Sequence, residues 1–196
     1  LQNPDEALSR KYLKKYQKAL TYDEIVSVVG LDDLKAENVT VKNEANFWHY
    51  KAEDVPDFAF CASDDYLWDL TSFVVDKNTG RRATVSAAYH DEAKHFYKAV
   101  EIGKKTVDYL SNELPGVPYP FPSMTIFQGT SAMEYPMMVN IRAYRANWEW
   151  LYISTLIQEI VHSYFPFYMG TNERKYAFMD EGWARMIVLK IQTEEI

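Results

Sequence analysis

The sequence predicts an α+β fold, and three observations carry that reading. Two alternating runs, "YLWDLTSFVVD" (66–76) and "RATVSAAYH" (82–90), read as strands joined by turn chemistry around Asn78 and Gly80. Two later segments, 91–114 and 148–165, carry apolar residues at helical spacing. Strands and helices do not alternate regularly along the chain, which points to α+β and away from a repeated strand–helix unit.

Taken in order, residues 6–20 are a helix-compatible stretch, and the Lys run at 11–18 reads as its solvated face. Residues 21–53 are mixed and charged, without a dominant period. "DFAFCAS" (57–63) alternates Phe58, Phe60 and Ala62, so a strand is expected there. Cys61 is the single cysteine, which excludes a disulfide within the chain; it reads as a buried small hydrophobe. From Asp91 to Leu114, Phe96, Val100, Ile102, Val107 and Leu110 define one helix face. "LPGVPYPFP" (114–122) ends that helix, because proline supplies no amide and clashes with the preceding turn. "SMTIFQG" (123–129) reads as a buried strand, and "MEYPMMVNI" (133–141) as one edge strand, since Pro136 cannot donate to a ladder. A strong helix is expected from Trp148 to about Phe165, with Ile153, Leu156, Ile157 and Ile160 in the core. A second is expected from Asp180 to about Ile191.

With 196 residues, 47% of them hydrophobic, the chain can bury a sizeable core. The net charge is −7 and there is no Lys/Arg stripe, which argues against nucleic acid as a partner. The acidic balance suits a cationic or zwitterionic ligand better. No apolar run reaches membrane-spanning length, so no membrane partner is expected. The first twenty residues lack the apolar stretch of a signal peptide.

The chemistry concentrates in "QEIVHSYFPFYMGTNERKYAFMDEG" (158–182). With His in place of Gln158 it would read H-E-x-x-H, eighteen residues, then Glu. On a helix, positions 158 and 162 project from one face. Two imidazoles there can grip one Zn²⁺, a carboxylate from the next helix can be the third ligand, and the fourth position stays open for water. A glutamate directly after the first ligand can take the proton from that water as it attacks a carbonyl.

This pattern resembles the gluzincin aminopeptidases of the aminopeptidase N family. "DEGWA" (180–184) is similar to that family's N-E-G-F-A, and "SAMEY" (131–135) to its G-A-M-E-N motif. The resemblance implies a thermolysin-like catalytic subdomain over residues 71–196, preceded by the tail of a β domain over residues 1–70. It implies zinc held by His162, Glu181 and Gln158, with Glu159 as general base. It implies that Glu134 binds the free α-amine, and that the substrates are peptides with a free N-terminus. The family's transition-state tyrosine and its helical C-terminal region would lie past the last residue here, so the resemblance implies that the chain is part of a larger protein.

Three departures stand inside the motifs. Ser131 replaces a Gly and Tyr135 an Asn, and both leave the Glu134 carboxylate in place. Gln158 is the serious one, because an amide oxygen is a neutral, hard donor and a poor match to zinc. His49, His90 and His95 fall in segments away from this helix. The sequence therefore leads to a zinc aminopeptidase-type domain impaired by Gln158. The alternative is an inactive module of the same fold that binds peptide N-termini.

Overall fold

A computed structural model describes residues 1–36, 38–43 and 47–194. Two helices open the chain, α1 (Pro4–Ala7) and the Lys-rich α2 (Arg10–Ala19). A short strand β1 (Val26–Val29) and a single-turn helix α3 (Leu31–Leu34) follow. The long hairpin expected from the sequence forms as β2 (Leu67–Asp76) and β3 (Arg81–Tyr89), with Gly80 at φ +72 in its turn. A 3-10 turn at Lys94–Lys98 leads into α4 (Ala99–Asn112). Then come β4 (Ser123–Gly129), β5 (Ala132–Tyr135), β6 (Met138–Arg142), α5 (Glu149–Val161) and α6 (Glu181–Glu194). The fold is α+β.

The strands make one six-stranded mixed sheet in the order β1-β2-β3-β4-β6-β5. The β3–β4 and β4–β6 pairs are parallel and the others antiparallel. The register places Val85 beside Met124, and Ile126 beside both Ala87 and Val139. All of these point to one face and are buried with Val107, Leu110, Leu156 and Ile160 of α4 and α5. The approach of α4 is close: a Cβ on Gly103 would stand 2.8 Å from Ile126 Cδ1 and 2.9 Å from Val85 Cγ1. A smaller cluster of Leu8, Tyr12, Ala19, Val28, Val29 and Leu70 lies under α2. Beside it the buried Asp33 accepts hydrogen bonds from Lys11, from Lys15 and Tyr12, and from the Gly30 amide, the last three at 3.0 Å. The boundary expected near residue 70 falls inside β2.

Four expectations are corrected. Residues 57–63 form no strand: alternation alone does not pair a segment, and Phe58 and Phe60 stay exposed. Cys61 is half-buried there, and that burial pushes its thiol up. The run 133–141 is not one strand but a tight hairpin, because Pro136 and Met137 (φ +64) turn the chain between β5 and β6. The helix expected to reach Phe165 ends at Val161. Pro166 cannot continue it, and Phe165 sits at φ −127, ψ 106 in an irregular turn over Ser163–Tyr168. Strand β1 went unread, because four residues in a charged stretch carry too short a pattern. Among the described residues no helix is long and apolar enough to cross a membrane.

Candidate functional site

Helix α5 is held by a deeply buried stripe of Leu156, Ile157, Ile160 and Val161. That anchorage fixes where Gln158 and Glu159 point near its C-terminal end. His162 caps the helix with helical backbone angles (φ −58, ψ −16), so it still projects one turn beyond Gln158. The irregular turn then carries the chain away, and it returns through a 3-10 turn at Ala177–Met179. Asp180 precedes α6, and its carbonyl accepts the Ala184 amide at 3.0 Å. Glu181 is the first residue of α6. From the other side comes β5, the edge strand. Glu134 lies directly opposite Val139, and opposed residues of an antiparallel pair share a face. Glu134 thus faces α5.

The residues picked from the sequence converge. His162 Nε2 lies 4.0 Å from Glu181 Oε2. The Gln158 side-chain amide donates to the same Glu181 oxygen at 3.0 Å. Glu159 is 6% exposed, and Glu134 and Glu181 are the carboxyls that act on it. Burial first, then Glu134 and the charge of Glu181, push the Glu159 carboxyl up to about 8, with Arg185 pulling it down. Glu134 also has a carboxylate oxygen within 4.8 Å of ligand atoms on His162 and Asp180.

Asp180 was not singled out from the sequence. Its signal was the Asp standing in "DEGWA" where the similar motif has Asn. Its Oδ1 lies 2.5 Å from His162 Nδ1, while the Nδ1–H is aligned on the Phe165 carbonyl at 2.8 Å. Burial raises the Asp180 carboxyl, His162 draws it down, and Glu181 and Glu134 add to the rise. Glu134, His162 and Asp180 do not make one coordination shell around the Nε2 lone pair. Asp180 meets Nδ1, and the in-plane orbitals of the two ring nitrogens diverge. The Phe165 carbonyl is the group hydrogen-bonded to Nδ1 and orients the ring, while Asp180 stands behind it with Oδ1 unpartnered.

Comparison with protein-family models and with curated proteins gives no match to this chain.

The zinc implied by the resemblance can be tested on this geometry. Zinc sits about 2.0–2.1 Å from nitrogen and oxygen donors in a tetrahedral shell. A zinc that near to both His162 Nε2 and Glu181 Oε2, which are 4.0 Å apart, would see them at roughly 155°, far from the tetrahedral angle. Gln158 turns its amide N–H groups to Glu181, whose oxygen it would have to share with the ion. As arranged, the residues do not fit a zinc ion. What they offer is a cluster of carboxylates around one buried imidazole.

Proposed function

We propose that this chain carries an aminopeptidase-type metallopeptidase site in which Gln158 has weakened zinc binding and hydrolysis, while recognition of a peptide's free N-terminus is kept. The finer fold reading belongs to the same proposal: a thermolysin-like subdomain from residue 71, preceded by the tail of a β domain. The observation that carries it is the meeting of Glu134, from the "SAMEY" strand, with His162 at the end of α5 and Asp180 before α6. Glu134 would hold the amine, and Glu159 is the carboxyl placed to move a proton. Glu181 and His162 would be the metal donors only once the exposed Glu181 side chain is released from Gln158 and turns towards the ion.

One observation favours the second reading, a module that binds peptide N-termini without cleaving them. The Gln158–Glu181 hydrogen bond satisfies Glu181 without a metal.

Metal analysis of the chain and of Gln158→His tests the proposal. The chain itself should hold well under one zinc per molecule and cleave aminoacyl chromogenic substrates at background rate. Gln158→His restores a nitrogen donor on the same helix face, so it should bind zinc and melt higher with zinc than with chelator. At zinc a hundredfold above Kd the gain would be about 2.7 kcal/mol. One tightly held zinc per chain with Gln158 in place would refute the weakened-site reading. No gain of zinc in Gln158→His would leave the non-hydrolytic module standing.

A further inference from the structure

One row of residues crosses the core face of the sheet: Ser27, Asp69, Ala87, Ile126, Val139 and Glu134, each paired with the next in the strand register. Its middle is apolar, and a carboxylate stands towards each end. Four strand spacings of about 4.8 Å separate Asp69 from Glu134, so the two lie about 19 Å apart. At the Asp69 end a cavity of about 260 Å³ opens between β1, β2, α3 and the turn Lys94–Lys98. Asp69 is half-buried on its floor beside the buried Leu67 and Tyr89, while Leu31 and Tyr97, each about half exposed, form its rim. The Tyr89 hydroxyl donates to Asp69 Oδ2 at 2.6 Å. Burial and that bond push the Tyr89 hydroxyl up, so it stays a donor. Among the described residues, Asp69 Oδ1 accepts no hydrogen bond and Asp69 forms no ion pair. The cations of the flanking elements are engaged elsewhere: Lys94 with Asp91 at 3.1 Å, and Lys11 and Lys15 with Asp33. A half-buried carboxylate with a bare oxygen is completed by a cation that brings its own N–H.

We propose that this cavity binds a primary alkylammonium, its charged head on Asp69 and its apolar stem between Leu31, Leu67 and Tyr97. Each wall selects for that class. Tyr89 already holds Asp69 Oδ2, and the one oxygen left suits a single N–H better than the two-pronged fork of a guanidinium. Ser27, opposite Asp69 in the register, offers a hydroxyl as a second acceptor. The Tyr97 ring attracts positive charge, and Lys94 Nζ already stands 5.1 Å from its centre. An inorganic ion would leave Leu31 and Leu67 bare, whereas a methylene stem covers them. The same head and stem are carried by a free alkylamine and by the lysine side chain of a polypeptide. The cavity stands at the opposite edge of the sheet from the peptidase-type cluster, and the inference does not depend on that reading.

The test is an NMR titration of the full chain with n-butylammonium, with Nα-acetyl-lysinamide, and with Nα-acetyl-norleucinamide, which keeps the stem and lacks the ammonium. The backbone amide resonances of Ser27, Gly30, Leu31 and Tyr97 should shift with an ammonium. Acetyl-norleucinamide should bind about tenfold more weakly than the better ammonium. Asp69→Asn keeps an acceptor for Tyr89 and removes the charge, so it should weaken binding about tenfold while the melting temperature holds. Tyr97→Leu, at an exposed position, should weaken it roughly threefold. Binding of acetyl-lysinamide as tight as that of butylammonium marks a lysine side chain as the source, and binding of butylammonium alone marks a free amine. Both outcomes support the assignment. Equal binding of acetyl-norleucinamide overturns it, as does undiminished binding to folded Asp69→Asn. Shifts confined to residues 158–181 overturn it as well, since the ammonium then sits at the peptidase-type cluster. No shift with either ammonium also overturns it, and the shift map of the unaltered chain decides this even if a variant fails to fold.

Discussion

Replacing Glu159 by Gln probes the charge arrangement of this acidic cluster in one step. Glu159 is 6% exposed, with Glu134 of β5 and with Glu181 and Arg185 of α6 acting on it. Its carboxyl is pushed from 4.5 up to about 8, so the folded chain keeps a proton that the unfolded chain releases. A folded-state value above the unfolded one favours folding only at low pH. As pH rises from 4.5 towards 8 the unfolded state gains by ionising, and stability falls. Each pH unit in that window is worth about 1.4 kcal/mol, so the loss by about pH 7.5 is on the order of 4 kcal/mol. Glutamine keeps the shape, can donate its amide to Glu134 and does not titrate, so Glu159→Gln should lose this dependence. For a chain of this length, 1 kcal/mol moves the melting temperature by roughly 2–4 °C, and the two proteins should diverge by about 10 °C across the window. Thermal unfolding of both in chelator, at about pH 5 and about pH 7.5, measures it. The wild-type melting temperature should fall on going to the higher pH, and the variant should be the more stable there. Parallel changes in the two proteins would refute the argument.

Two further predictions concern the scaffold. Burial alone would raise the Asp33 carboxyl, but the hydrogen bonds from Lys11, Gly30, Lys15 and Tyr12 outweigh it and hold it well below its ordinary 3.8. Its stabilisation is therefore complete above 3.8 and lost as pH falls below that value. Asp33→Asn should cost about 3 kcal/mol at neutral pH by urea unfolding and flatten the acid limb; an unchanged midpoint would exclude the role. Gly103→Val places a branched side chain where even a Cβ lies under 3 Å from Ile126 and Val85. It should lower stability by about 2 kcal/mol through overpacking, and an equal or higher urea midpoint would contradict the packing described.

Much of the site was legible because its chemistry repeats along one helix. The four-residue step from Gln158 to His162 needs only the helical period, and the stripe Leu156, Ile157, Ile160 announces that period locally. The spacing to Glu181 and its place at the start of the second helix were also readable. The β2–β3 hairpin was visible for the same reason, since alternation and a turn lie within one short stretch. Alternation misled at 57–63, where a correct-looking pattern has no partner strand, and β1 was hidden because its partner β2 begins nearly forty residues later.

What only the tertiary structure decided is which faces meet. Glu134 comes near His162 and Asp180 because the β5–β6 register turns it to the Val139 face and the sheet order brings that edge under α5. Asp180 and the Phe165 carbonyl come to Nδ1 because the chain breaks from helix at Pro166 and returns, leaving Nε2 bare. Local periodicity is a property of neighbours along the chain. Register and packing are set by contacts between segments far apart in sequence, and no spacing within either segment records them.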